Sequence, residues 1–336
     1  MSPQRASTPP SPAAERHDLA ARLGLSEPLV NAPMAGAAGG RLAAAVSRAG
    51  ALGMVGIGGG ATAEWISAES ARARESGGAW GVGLMAWVLE KSLDPLRAAL
   101  EARPGLVCVS FGDPGPAAAL AREAGVLTAM QVGTGAELGR ALEDDIDVVV
   151  CRGSEGGGHG RNDVATLPLL QLALDSTDKP VVAAGGIATA RGVAAALGAG
   201  AQAAWVGTRF AACVESLSHA RAKEAISAAG LDDTVYTRAF DIAQRIPWPR
   251  EYGGRALGNA FSARWAADEE GLERELAEHP EITAEMEFAR AGGDTATAPV
   301  YAGQSAAMTR AGETAADVVA DLARFRTHLR DAAARW

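Results

Sequence analysis

The stretch Gly153-Ser154-Glu155-Gly156-Gly157-Gly158-His159-Gly160 sets five glycines around one imidazole. Of its side chains, the imidazole is the one that exchanges protons near neutral pH. Glycine lets the backbone approach a ligand closely and turn successive N–H groups toward an electron-rich or anionic surface. Residues of these types together could carry out proton transfer beside a flat or charged ligand. A surface connection with a solvated histidine would look similar, so the weight falls on two strand ends downstream. The apolar run Pro180-Val181-Val182-Ala183-Ala184 ends in Gly185-Gly186-Ile187, and the run over 203–206 ends in Gly207-Thr208. Unpaired N–H groups at a helix start face a phosphate well, glycine removes the Cβ that would block it, and Thr208 adds a hydroxyl donor. A tight turn between strand and helix would use glycine too, but two such turns at matching strand ends favour a phosphate. They do not distinguish a flavin phosphate from that of a sugar or nucleotide.

The elements that must position these residues follow one rhythm. Short apolar runs at 29–33, 52–55, 80–84, 106–110, 127–132, 148–151, 180–184 and 203–206 alternate with Ala-rich helical stretches. Strands alternating with helices indicate βαβ units and a parallel sheet. Eight of them predict an α/β fold, a (β/α)8 TIM barrel, in which the loops after strands seven and eight commonly form a phosphate site. The competitor is an open dinucleotide-binding sheet, since Gly56-Ile57-Gly58-Gly59-Gly60-Ala61 fits the glycine fingerprint. That fingerprint wants an acid after the next strand, and Met85, Ala86 and Trp87 follow Leu84 instead.

Past Phe210 the rhythm stops. A mostly helical cap or insertion is expected over 213–300, with Trp248, Tyr252 and Trp265 as pocket lining or ordinary packing. The barrel is expected over 18–212 plus 301–336, its last helix spanning 311–334. Residues 1–17 have the composition of a disordered tail. A chain of 336 residues that is 48% hydrophobic and 21% charged can bury a large core. Its net charge of −9 argues against nucleic acid or an anionic membrane as partner. Cys108, Cys151 and Cys213 lie far apart in apolar surroundings and read as core residues of a reducing compartment, with no metal-ligand spacing. With no signal-peptide core and no run near the roughly 20 residues of a membrane span, a soluble cytoplasmic protein is expected.

In combination, Asn31-Ala32-Pro33-Met34, Gly153 to Gly160, Ala183-Ala184-Gly185-Gly186-Ile187 and Gly207-Thr208-Arg209-Phe210 resemble the nitronate monooxygenase family, formerly called 2-nitropropane dioxygenases. Tyr301-Ala302-Gly303-Gln304-Ser305 fits as well, so the likeness covers most of 29–322. It implies an FMN-binding barrel, molecular oxygen as oxidant and a nitronate or nitroalkane as substrate. By the same resemblance Ala32, Pro33, Met34, Glu155, Gly156 and Gly157 contact the flavin. Gly185, Gly186, Gly207 and Thr208 hold its phosphate, and His159 falls on the catalytic histidine. A homodimer is one assembly the sequence allows.

Two positions depart from the family pattern. Gly83 stands at the end of strand three where many members carry Asn, which puts one cofactor contact in doubt, and Gly156 replaces the usual Ala. Gln131, ending strand five, is either a donor to the flavin's pyrimidine edge or a surface-facing strand end. A nitroalkane must lose its α-proton before oxidation, and His159 is the expected general base. Two alternatives stay open: an FMN-dependent reductase of the enoyl-reductase type using NAD(P)H, and a non-redox barrel binding a phosphorylated small molecule.

Overall fold

The computed structural model describes residues 18–335, so the tail expected over residues 1–17 lies outside it. The eight expected strands form one parallel sheet: β1 (Leu29–Asn31), β2 (Gly53–Gly56), β3 (Trp80–Met85), β4 (Leu106–Ser110), β5 (Leu127–Val132), β6 (Val148–Arg152), β8 (Val181–Ala184) and β9 (Ala203–Val206). Their spatial order is β1-β9-β8-β6-β5-β4-β3-β2, and a parallel bridge between Val30 and Leu52 joins the two ends into a barrel. Open-sheet topology, and with it the dinucleotide reading of Gly56 to Ala61, is thereby excluded.

The strands are apolar on both faces because both faces are covered. Alternate residues divide between two packing environments. Val30, Met54, Cys108, Val150, Val182 and Trp205 belong to a cluster made almost wholly of strand residues, the barrel interior. Their neighbours Val55, Val107 and Val149 pack with residues of the surrounding helices. Leu19, from the short helix Leu19–Leu23, joins the interior cluster and closes its base. At the seam the β1–β2 pairing is short, and a side chain extends it. Buried Asn31 donates from Nδ2 to the Met54 carbonyl at 2.9 Å and accepts the Met54 N–H at 2.7 Å. The first residue of the Asn31-Ala32-Pro33-Met34 motif thus clasps the barrel, while the next three emerge on its rim.

Beyond β9 the chain differs from expectation in two respects. The segment 213–300 carries five helices, but also strands β10 (Thr234–Thr237) and β11 (Gly253–Leu257). These pair antiparallel with each other, and β11 pairs with β7 (Gly158–Gly160), so the sheet order is β10-β11-β7. The glycine stretch around His159 is therefore an edge strand tied to the inserted segment. Glycine-rich strands carry almost no propensity signal, which is why composition alone reads this one as a loop. The helix expected over 311–334 is two, Ala315–Leu322 and Phe325–Ala333, and the break turns Phe325 into the main core.

Candidate active site

The residues singled out from the sequence lie at the carboxyl ends of the barrel strands. Gly207 follows β9 and faces the segment after β1: a Cβ added there would sit 3.5 Å from the Ala32 Cβ and 3.6 Å from the Met34 sulfur. Gly83, on β3, faces Pro33, whose ring fills the space a Cβ at position 83 would need. The Asn that many family members carry cannot be accommodated beside Pro33 as it stands, so Gly83 and Pro33 fit each other. Gln131 is the last residue but one of β5, its N–H donated to Ser110 Oγ at 3.0 Å, and among the described residues no hydrogen bond ties its side chain to the other site residues.

The turn after β8 meets a test of fit to a phosphate. Gly185 and Gly186 adopt φ of +101° and +70°, the left-handed region that favours glycine. Among the described residues no protein acceptor takes the N–H groups of Gly186 or Ile187. A helix, Ala190–Gly198, starts just beyond, capped by the Thr189 side chain. Thr208 Oγ1 accepts the Gly303 N–H at 2.9 Å and keeps its own proton to donate. Behind both turns stands Arg209, only 2% exposed. Its guanidinium donates to the Ala188 carbonyl at 2.9 Å, to Glu313 at 2.6 and 2.9 Å, and to Asp321 at 2.8 Å. One rigid, planar donor thus fixes the β8 turn, the β9 turn and the C-terminal segment in one frame.

The stretch after β6 is organised differently from expectation. Its glycines fold around Arg152, the last residue of β6. That guanidinium donates to the carbonyls of Gly156, Gly158 (3.0 Å) and Arg161 (2.8 Å). A Cβ on Gly156 would come within 2.6 Å of Arg152 Nε. Here glycine is needed for close approach to a buried cation, and it is the carbonyls, not the N–H groups, that point inward. Burial pulls the Arg152 pKa down to about 10, which still leaves it charged at neutral pH. Glu155 turns its carboxylate to Thr166, accepting from Thr166 Oγ1 at 2.9 Å and Thr166 N at 3.1 Å, an acid at the positive end of the helix Thr166–Ser176. Glu155 is thus engaged in closing the loop, and Gly157 packs against the backbone of Gly303.

His159 sits on β7 opposite Gly254 of β11. Its ring stacks on Trp248 with centroids 3.8 Å apart and planes 6° from parallel, and Tyr301 lies 5.1 Å away on a tilted plane. Nε2 is 2.8 Å from Asp241 Oδ1, on the helix Ala239–Ala243, and Nδ1 has no hydrogen-bond partner among the described residues. Trp248 packs in turn against Trp87 and Phe111, and Phe111 against Tyr252. Tyr252 donates to Glu137 Oε1, which also accepts from Arg161 Nε. Burial pushes the Tyr252 phenol well up, so it remains the donor. Trp248 and Tyr252 therefore belong to the site, whereas Trp265 packs with Leu272 and Leu276 in the core of the inserted segment.

Arg152 and Asp241 are the partners of the histidine loop that the sequence leaves unassigned. Arg152 had a local signal, a charge ending an apolar strand just before the glycines. Asp241 had none, since its meaning depends on a fold that brings it 82 positions back to His159. The three cysteines are buried, their pKa values pushed up to about 11 or 12 by burial, and no cluster of potential metal ligands occurs among the described residues. No helix among them is long and apolar enough to cross a membrane.

Comparison with known proteins bears on the family and the fold. The profile of the nitronate monooxygenase family matches residues 81–324. A nitronate monooxygenase of Paraburkholderia phytofirmans is 29% identical, over 90% of this chain and 93% of its own. One from Pseudomonas aeruginosa is 31% identical over 76% and 93%. A (3aS,4S,5R,7aS)-5-hydroxy-7a-methyl-1-oxo-octahydro-1H-indene-4-carboxyl-CoA dehydrogenase of Rhodococcus jostii is 35% identical over 65% of this chain, which spans 62% of that protein's length. Among solved structures, FabK from Thermotoga maritima superposes with a TM-score of 0.80 at 28% identity, covering 95% of this chain and 98% of FabK. Nitroalkane oxidase from Streptomyces ansochromogenes does so with 0.77 at 29%, covering 94% and 99%.

Proposed function

The chain belongs to the nitronate monooxygenase family and is with it a flavin-dependent oxidoreductase; from that premise we propose that it binds FMN and oxidises nitronates and nitroalkanes with molecular oxygen, His159 acting as general base. Gly185, Gly186, Gly207 and Thr208 would hold the phosphate, and the backbone of Ala32, Pro33 and Met34 would line the flavin together with Gly156 and Gly157. When bound, the flavin supplies electron transfer to oxygen; the protein's part is binding, orientation and proton transfer. The three buried thiols and the net charge of −9 fit a cytoplasmic protein with no nucleic-acid or membrane partner, and a homodimer is the assembly to test.

The observation that carries this reading is the fixed imidazole. Stacking on Trp248 and the hydrogen bond at Nε2 hold the ring in one orientation, leaving Nδ1 as the nitrogen able to accept a proton. A neutral nitroalkane would lose its α-proton to Nδ1. The C–H bond breaks, the electron pair stays with the substrate as nitronate, and the ring becomes imidazolium. A positioned base contributes on the order of 10²–10⁴-fold. A preformed nitronate needs no such step.

A second reading is an FMN-dependent reductase of the enoyl-reductase type using NAD(P)H, and the relative named as a carboxyl-CoA dehydrogenase favours the thioester part of it. An anaerobic visible spectrum separates the two. Yellow protein bleached by a nitronate and unchanged by NADH or NADPH supports the first. Rapid bleaching by a reduced nicotinamide, with turnover of an enoyl thioester, replaces it with the second.

A further inference from the structure

Asp241 is buried in the 213–300 segment, 2% exposed, and makes a use of burial that packing does not explain. Its Oδ1 lies 2.8 Å from His159 Nε2 and 3.4 Å from the Tyr301 hydroxyl, while its Oδ2, equally buried, has no hydrogen-bond partner among the described residues. A buried carboxylate is costly unless paired, and an unsatisfied buried acceptor needs a reason. Among the described residues no lysine or arginine forms an ion pair with this one, and the only titratable side chains hydrogen-bonded to it are His159 and Tyr301. Tyr301 stays a neutral phenol because burial pushes its pKa far up. That leaves His159 as the group whose charge can balance Asp241, and only when the ring carries a second proton.

We propose that Asp241 is the positioning residue of the base: its carboxylate accepts a hydrogen bond from the Nε2–H of His159, so that Nδ1 presents its lone pair to substrate, and it stabilises the imidazolium that forms when the substrate's α-proton arrives. This rests on His159 being the base. Accepting at Nε2 fixes the tautomer as well as the ring's orientation, as carboxylate partners of catalytic imidazoles do. The proton balance is simple. Nδ1 gains the α-proton, Nε2 keeps its own, and the positive charge lies against a carboxylate instead of alone in a buried site. Because the helix Ala239–Ala243 and Trp248 both come from the 213–300 segment, that segment completes the base rather than only covering the barrel.

The test compares Asp241→Asn with His159→Asn, each with flavin bound, on nitroethane and on nitroethane already converted to its nitronate. Asparagine keeps the shape of the side chain and removes the charge. The proposal expects Asp241→Asn to lose roughly 100-fold in kcat on nitroethane, to stay within about threefold on the nitronate, and to retain flavin. Asp241→Glu, which restores the carboxylate, should recover part of the nitroethane loss even if Asp241→Asn folds poorly. Equal losses on both substrates, or no recovery with Glu, would make Asp241 a structural residue. If His159→Asn shows the split between substrates and Asp241→Asn does not, the base stands and the role of Asp241 falls. If His159→Asn shows no split, both fall.

Discussion

The turns at Gly185-Gly186 and Gly207-Thr208 and the cluster around His159 share one rim of the barrel but are built by different means. Each turn is a strand end a few residues long, its geometry set at Gly185-Gly186 by left-handed φ and at Gly207-Thr208 by the immediate start of the next helix. The histidine cluster gathers β7, the helix Ala239–Ala243, Trp248 and Tyr301 from far along the chain. The difference teaches that holding a cofactor's phosphate needs little more than oriented backbone, whereas orienting a base needs a second layer of structure to grip its other nitrogen and its face. The inserted segment after β9 supplies that layer through the β7–β11 pairing.

Breaking the anchor common to the two turns should give the largest effect. Arg209→Met leaves Glu313 and Asp321 with only the exposed Arg310 and Arg324 beside them, and loss of one partner from a buried ion pair costs about 3–5 kcal/mol. Urea unfolding should show that loss, accompanied by weaker flavin binding because the Ala188 carbonyl loses its donor. An unchanged midpoint would mean that the turns hold themselves in place. Gly186→Val comes next. A branched side chain at φ +70° closes the cradle, and losing two hydrogen bonds to a charged phosphate, about 1.5 kcal/mol each, weakens FMN binding roughly 100-fold. The purified variant should be folded and colourless; a fully yellow one would place the phosphate elsewhere. The smallest effect sharpens the other side of the comparison. Trp248→Ala removes the ring stacked on His159, an interaction of about 0.5–1.5 kcal/mol, and should slow nitroalkane oxidation several-fold while leaving FMN bound. Loss of flavin in that variant would show that the two regions are not separable.

The same contrast decides what the sequence makes legible. The eight strands announce themselves as apolar runs because both faces are buried, and the rim glycines stand at their ends, where the site residues are found. The hairpin β10–β11 was harder to read. Thr234 to Thr237 is a β-branched and aromatic run, but Gly253 to Leu257 starts with two glycines, and β7 is Gly-His-Gly. Those glycines serve close approach, of Gly254 to Tyr301 and of Gly160 to Arg152, which no local pattern discloses. Gly83 reads from sequence alone as a missing contact, whereas in the fold the Pro33 ring occupies the space of the absent side chain. Asp241, one acid among many in the inserted segment, has no local sequence signal; only the fold sets it at 2.8 Å from an imidazole.

The most direct measurement is steady-state oxygen consumption by FMN-loaded His159→Asn on a neutral nitroalkane and on its preformed nitronate. The account predicts a loss on the order of 10²–10⁴-fold with the nitroalkane and nearly full activity with the nitronate. Equal losses on the two substrates would assign His159 to binding or loop structure, and unchanged activity on both would contradict its role as the base.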